Sequence, residues 1–273
     1  MQDMRNRSVA LFVEAQILWL LIQALIVLGR QNADDITCKN DCEQNDRGIT
    51  IRIVIIMTDQ DFKNQYWKQY IMIEKEFKTS IKYVAVDHCN FSTYSDVYAK
   101  LLLLIGSEVD VVAKEICKEI NMTSTAEKIS SYQPEICSRF PEFESVITAC
   151  SDIDLHPWQG WSNSSPDWWK IYNGLKHNRN KHETYGAVTQ ENYKFANQGV
   201  VLESLAGLYQ LEQYLYSFIS HNPHEETPLP GSRLYRLKDQ GWETKYFGQD
   251  SVLYIDDDGC LCTIFADPPY SDM

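Results

Sequence analysis

Apolar residues recur every three or four positions through much of the chain, which is the period of amphipathic helices. One such stretch predicts the second helix of the chain, which runs from Ser95, a suitable N-cap, to about Ile120. Its residues 101–105 are apolar on every side, so we expect this helix to lie at the centre of a bundle. Ahead of it, a first helix is predicted by a stripe that consists of Phe62, Tyr66, Tyr70, Ile73, Phe77 and Ile81.

Two more helices are predicted in the second half of the chain. A central helix starts at Ser165, and a long apolar helix covers residues 190–220 with Thr189 as its N-cap. Gly207 leaves room on the long helix for another helix to approach closely. Residues 121–164 are less regular, and there the sequence predicts a short helix that begins with Pro141.

The pattern changes after residue 223 from a helical period to short β-branched and aromatic runs. Strands are predicted over residues 233–238, 243–247, 251–255 and 260–265, and the run Asp-Asp-Asp-Gly at 256–259 is a hairpin-turn signal. The fold class predicted from these patterns is mainly α. It is a helical bundle over residues 57–222 with a small C-terminal antiparallel β meander over residues 223–273.

The first 56 residues have a different character. Residues 8–29 form a mainly apolar run that is long enough for a membrane anchor, although Glu14 near its middle opposes insertion. Residues 31–48 resemble an acidic linker, and Met57 opens a segment that looks like the start of a soluble protein. Three interpretations therefore stay open: a non-native or accessory extension, a membrane anchor, or a helix of the core.

The charge of the chain limits its partners. Its formal net charge is −13, which repels polyanions and argues against a role in coating DNA or RNA. One local basic spot stands against this background, and it consists of Lys170, Lys176, Arg179 and Lys181.

The cysteines suggest neither a metal site nor a disulfide framework. There are eight of them, and none forms the CxxC pair of a zinc site. Cys117 falls on an apolar helical face, where a buried free thiol is expected. The sequence therefore predicts reduced, structural cysteines and no metal or cofactor. We expect a cytoplasmic protein, or a membrane-anchored one if residues 8–29 insert.

The central helix concentrates the side chains with chemical potential. Helical spacing places Tyr172, Lys176 and Arg179 on one face. His, Arg and Lys can move a proton and hold a phosphate, whereas aromatic rings and an amide can contact a base. The catalytic candidates are His177, Arg179, Lys176 and His182, and the binding candidates are Tyr172, Asn173, Trp168 and Trp169.

Glu108 is a further binding candidate. It interrupts an otherwise apolar stretch of the second helix. One interpretation is a solvated carboxylate, and the other is an acidic partner for the basic helix, since a buried carboxylate needs a cation.

A bundle with a late Tyr-x-x-x-Lys-His-x-Arg helix and a long apolar helix after it resembles the HEPN superfamily of prokaryotic defence and toxin-associated RNases. The motif here is Tyr172, Lys176, His177 and Arg179, and the resemblance covers residues 60–220. It implies metal-independent RNA cleavage, with His near the 2′-hydroxyl and Arg on the phosphate, in a homodimer whose motifs face each other. The family has a longer Arg-to-His interval; here Lys176 to His182 has that length.

Three functional hypotheses follow. The first is an endoribonuclease or toxin-type defence component, and the second is a non-catalytic partner-binding or dimerisation module. The third, a membrane-anchored sensor, depends on insertion of residues 8–29. A purely structural interpretation also stands, because cations at the end of a helix complement its dipole and its last carbonyl groups.

Overall fold

The computed structural model describes residues 57–220, 228–238, 251–255 and 261–265, the last two segments as backbone strands. The chain divides into two units, Met1–Thr58 and Asp59–Met273, and all described helices and strands belong to the second unit. Several predictions lie outside the described residues: the apolar run over 8–29, the linker over 31–48, the strand over 243–247 and the turn over 256–259.

The described part of the chain is mainly α, as the apolar periodicity predicts. Helix α1 starts as Asp59–Phe62, passes through a π-helical turn at Lys63–Trp67 and continues as Lys68–Ile81. Short 3₁₀ turns lie at His88–Asn90, Phe143–Ser145 and Asn192–Phe195. The other helices are α2 at Asp96–Ile120, α3 at Ile129–Arg139, α4 at Asp167–His177 and α5 at Gln198–Tyr216.

Helix α2 has the bounds and the central position that the sequence predicts. The hydroxyl of Ser95 accepts a hydrogen bond from the Tyr98 N–H at 3.1 Å, which satisfies one of the free donors of the first turn. The helix contacts α1, α3, α4 and α5. Many of its apolar residues, among them Leu101, Ile105 and Val109, are fully buried.

The prediction of a helix starting at residue 190 is wrong. The segment forms an antiparallel hairpin of β3 (His182–Tyr185) and β4 (Val188–Glu191), and Gly186 turns the chain with a φ of +59°. Helix α5 begins only at Gln198, where the side chain of Asn197 accepts from the Val200 N–H. Asn197, rather than Thr189, is therefore the N-cap of this helix.

Residues 121–164 contain more structure than the sequence predicts. Helix α3 lies there with Pro134 in its interior, and its apolar side, Ile129, Tyr132 and Ile136, is buried. The helix predicted from Pro141 is a 3₁₀ turn that leads into β1 (Ile147–Cys150). Proline at 134 obscured the helical period, and Ile147 is the first residue of a mostly buried strand rather than part of a helix.

Strand β1 is the middle of a three-stranded antiparallel sheet. It lies between β2 (Ile153–Leu155) and β5 (Arg236–Lys238). Because β5 pairs with β1, residues of the C-terminal segment pack with the helical part, and Tyr235 is fully buried. Strands β6 (Ser251–Ile255) and β7 (Leu261–Phe265) pair antiparallel, which confirms the predicted hairpin.

A buried carboxylate fastens this C-terminal segment to α1. Glu74 is 3% exposed and accepts from the Tyr70 hydroxyl at 2.6 Å, the Ser232 hydroxyl at 2.5 Å and the Arg233 N–H at 2.9 Å. Three donors on one carboxylate satisfy a group that would otherwise be costly to bury. The attachment places β5 beside β1.

Candidate functional site

The aromatic side of α4 belongs to the core. Trp168, Trp169 and Tyr172 are 3%, 7% and 4% exposed. The Trp168 indole N–H donates to the carbonyl of Pro157 at 2.8 Å, and the Tyr172 ring lies over Gly106 of α2. A Cβ at Gly106 would fall 2.4 Å from that ring. The Tyr172 ring thus joins α4 to α2, the Trp168 ring lies against Gly207 of α5, and none of the three rings has an open face on which a base could stack.

Helix α4 starts one residue later and ends earlier than the sequence predicts. Its first residue is Asp167, Pro166 occupies the N-cap position, and no side chain caps the helix, so the predicted Ser165 cap is wrong. The helix ends at His177. Arg179 therefore lies in a turn rather than on the face of Tyr172 and Lys176, and His182 is the first residue of β3.

The chain from Lys176 to His182, the basic segment, is held in place by Asn192. The Asn192 backbone N–H donates to the Lys181 carbonyl at 2.9 Å, and its side-chain amide donates to the Asn178 carbonyl at 2.9 Å. The Tyr193 N–H donates to the carbonyl of Arg179 at 3.1 Å. Asn192 is fully buried, so the segment is tied at three carbonyl groups to a fixed anchor.

Asn192 was missed by the sequence reasoning, which placed it inside the predicted long helix. Its side chain fits because residue 174 is a glycine: a Cβ at Gly174 would lie 2.8 Å from the Asn192 amide oxygen. An asparagine near a predicted helix start gives no sequence signal for such a role, since it resembles an ordinary cap.

All seven residues of the basic segment are exposed, but their charges are not equally available. Lys181 pairs with Glu183 at 2.5 Å, and that carboxylate raises the pKa of the ammonium group. Among the described residues, no carboxylate lies within ion-pair distance of Lys176, His177 or Arg179. Lys176 donates to the Tyr172 hydroxyl at 3.2 Å, which directs its head group without neutralising it.

Neither candidate histidine is hydrogen-bonded to a carboxylate among the described residues. His177 ends α4, and its ring forms no hydrogen bond with the described part of the chain. His182 Nε2 lies 3.7 Å from a Glu191 carboxylate oxygen, beyond hydrogen-bond distance. Glu191 is instead engaged by Lys194 at 2.8 Å, and this hydrogen bond lowers its pKa.

The other binding candidates, Asn173 and Glu108, interact with residues outside the basic segment. The Asn173 amide donates to the Trp169 carbonyl one turn earlier at 3.1 Å. Glu108 is half-buried, and burial raises its pKa. Its charge acts on Glu212 of α5, whose pKa is raised well above the ordinary value by burial first and by Glu108 second. No ion pair joins Glu108 to the basic segment among the described residues.

A residue that the sequence reasoning did not select lies next to the basic segment. Tyr94 is 48% exposed, and its ring meets that of Tyr193 edge-on with centroids 6.0 Å apart. Tyr193 is the residue whose N–H holds the Arg179 carbonyl. Val188 is 51% exposed at the far end of the β3–β4 hairpin, where it pairs with Tyr185. Beside the backbone of the basic segment, the exposed side chains thus include the ring of Tyr94.

The fold and the site define a mainly α protein with a fixed, exposed basic segment at the end of α4. No family model, curated protein or solved structure matches the chain. Cys89, Cys117, Cys137 and Cys150 are free thiols. Within the described residues no group of three or more His, Cys, Asp or Glu side chains is placed to hold a metal ion, and no helix has the length and apolarity to cross a membrane.

Proposed function

We propose that this protein is a non-catalytic helical partner-binding module whose basic segment binds an acidic segment of another protein. The observation that carries the proposal is the pair of exposed cations Lys176 and Arg179, which flank His177 and have no carboxylate partner among the described residues. The anchor at Asn192 fixes the backbone of this segment in advance, which reduces the entropy lost on binding.

The surroundings of the cations favour a protein partner over RNA. The three aromatic residues of α4 are buried and give no stacking platform. Two or three phosphate contacts give little affinity at physiological salt, and a net charge of −13 opposes a polyanion at longer range. Val188, exposed at the far end of the β3–β4 hairpin, offers an apolar contact to an acidic, aliphatic peptide that runs from the basic segment along the hairpin.

A fluorescently labelled peptide of alternating Glu and Leu tests the proposal by anisotropy. The Lys176→Gln/Arg179→Gln variant removes two free cations, and the control Lys181→Gln/Lys194→Gln removes two that are already paired. Both changes alter net charge equally. We expect the first variant to bind the peptide roughly tenfold more weakly and the control to bind nearly as well as the native chain. Equal losses in both, or no binding by the native chain, would reject the proposal.

RNA cleavage is the second candidate function, and exposed Tyr94 is the observation that favours it. An aromatic ring beside the basic segment can stack an unpaired base while Arg179 contacts a phosphate and His177 transfers a proton. This mechanism corresponds to what the HEPN resemblance implies.

A single-stranded RNA incubated with the full chain and a chelator tests this candidate over about pH 5 to 8, where histidine changes charge. Cleavage that is abolished by His177→Ala/His182→Ala and weakened by Tyr94→Ala would establish an endoribonuclease and overturn the non-catalytic proposal. Intact RNA over the whole range would reject the second candidate.

A further inference from the structure

The outward face of α2 carries a regular apolar stripe. Val97, Leu104 and Val111 are 46%, 42% and 45% exposed, although most large apolar side chains on the other faces of this helix, among them Leu101, Ile105 and Val109, are buried. Their spacing of seven residues places these three residues, the outer stripe, along one line of the helix.

The outer stripe faces away from the basic segment's helix. Gly106, which receives the Tyr172 ring of α4, is two residues from Leu104. Two residues rotate a helix by about 200°, so the contact with α4 and the outer stripe lie on opposite sides of α2. On the neighbouring α1, Met72 is 56% exposed and lies one turn before Glu76, which pairs with Lys100 of α2. Met72 extends the apolar surface beside the stripe.

We infer that α2 pairs with α2 of a second copy of this chain in an antiparallel arrangement, with a two-fold axis at Leu104. The positions of the stripe are symmetric about that residue, so Val97 of one copy meets Val111 of the other and Leu104 meets itself. An isologous contact requires this kind of self-complementary pattern.

The charges beside the stripe decide the direction of the pair. Lys100 and Glu108 lie four residues before and four residues after Leu104. In the antiparallel arrangement Lys100 of each copy lies level with Glu108 of the other, which gives two ion pairs by symmetry. A parallel arrangement would place Lys100 beside Lys100 and Glu108 beside Glu108, and like charges at such positions oppose pairing.

Both charged groups are able to make this contact. The Lys100 side chain is 59% exposed although it pairs with Glu76 on its own chain, so it can contact a second carboxylate. Glu108 is half-buried near the carboxyl group of Glu212, and within the described residues no cation pairs with it. A cation from a second copy would offset the cost of its burial.

This dimer differs from the one that the HEPN resemblance implies. Because the stripe and α4 lie on opposite sides of α2, the pairing does not bring the two basic segments together. Self-association through α2 and binding of an acidic peptide at the basic segment are therefore independent, and either can fail alone.

Sedimentation velocity over a range of protein concentrations tests the inference. The native chain should show a concentration-dependent monomer–dimer equilibrium, and Leu104→Glu should shift it to monomer, because two carboxylates would meet on the axis. The reversals Lys100→Glu and Glu108→Lys should each weaken the dimer roughly tenfold, because each creates two like-charge contacts.

The charge swap Lys100→Glu/Glu108→Lys is the decisive variant, since it restores both ion pairs in the antiparallel arrangement. We expect it to recover most of the native affinity. Lys118→Glu, an exposed reversal on the same helix outside the symmetric register, is the control and should leave the dimer intact. Circular dichroism melting verifies that every variant folds. A native chain that stays monomeric, a dimer unaffected by Leu104→Glu, or a swap that fails to recover association would overturn the inference.

Discussion

Carboxyl groups inside the helical packing differ in how they are satisfied. Glu74 receives three hydrogen bonds, whereas Glu203 receives one from the backbone N–H of His156, and Glu212 has an oxygen with no hydrogen-bond partner among the described residues. Burial therefore raises the pKa of Glu203 and of Glu212, because it disfavours their charged forms. Sequence could not distinguish these residues from solvated glutamates on helix surfaces, because each depends on a neighbour far away in the chain.

Glu203 gives a prediction on pH dependence. Burial raises its pKa from 4.5 to about 7, so the folded state retains a proton that the unfolded chain releases. The stability contributed by the neutral carboxyl is fully present below about pH 4.5 and is lost as the pH rises through about 7. Glu203→Gln stays neutral at every pH and should raise the free energy of unfolding at pH 8 by up to about 3 kcal/mol.

Urea denaturation of both chains at pH 5 and pH 8 measures this effect. The difference between the variant and the native chain should be larger at pH 8. Asp152→Asn, on the exposed turn between β1 and β2, serves as the control and should show little difference. A Glu203→Gln variant with the same stability gap at both pH values would contradict the assigned proton.

At the scale of elements, the predictable parts were those with strong local signals. Helix α2 combines an N-cap, an acid in the first turn and a long apolar period, and its bounds are as predicted. Strands β3 and β4 have four residues each, half of which are exposed and none buried, so no alternation of apolar and polar residues revealed them. Helix α3 was hidden by Pro134, and its position depends on tertiary packing.

The contact between α2 and α4 predicts that Gly106→Ala is destabilising. Alanine is the better helix former by about 1 kcal/mol, but its Cβ would lie 2.4 Å from the buried Tyr172 ring, which must move. Overpacking of this kind costs about 1–3 kcal/mol. Thermal denaturation should show a lower midpoint for Gly106→Ala and an unchanged or higher one for the adjacent, exposed Ser107→Ala. Equal midpoints in both variants would contradict the close packing.

The tie between the hairpin and the basic segment predicts a local effect of Asn192→Ala. Loss of the bond to the Asn178 carbonyl should cost about 1 kcal/mol and free the segment. Hydrogen exchange should become faster at the amide groups of Lys181 and Tyr193, which lie in the same network, while the amide groups of α2 keep their protection. Asn180→Ala, exposed in the same segment, should leave exchange unchanged; uniform acceleration in all helices would instead indicate global destabilisation.

At the scale of the whole molecule, the sequence predicted a mainly α body and located its basic spot. It did not show that the aromatic residues of α4 face inward, because Trp168, Trp169 and Tyr172 are spaced as well for a binding face as for a core. The sequence also predicted that α4 continues through Arg179. The helix ends at His177, and the Asn178 carbonyl that follows accepts a hydrogen bond from Asn192, which is distant in the sequence. The resulting surface supports the proposed recognition of an acidic partner more directly than it supports catalysis of RNA cleavage.

A competition titration tests the central claim most directly. The labelled Glu-Leu peptide is bound to the full chain, and single-stranded RNA of the same length is added while its integrity is followed on a denaturing gel. The account predicts that excess unlabelled peptide displaces the probe, whereas RNA displaces it poorly and stays intact. RNA that displaces the peptide efficiently and is shortened in the process would contradict the account.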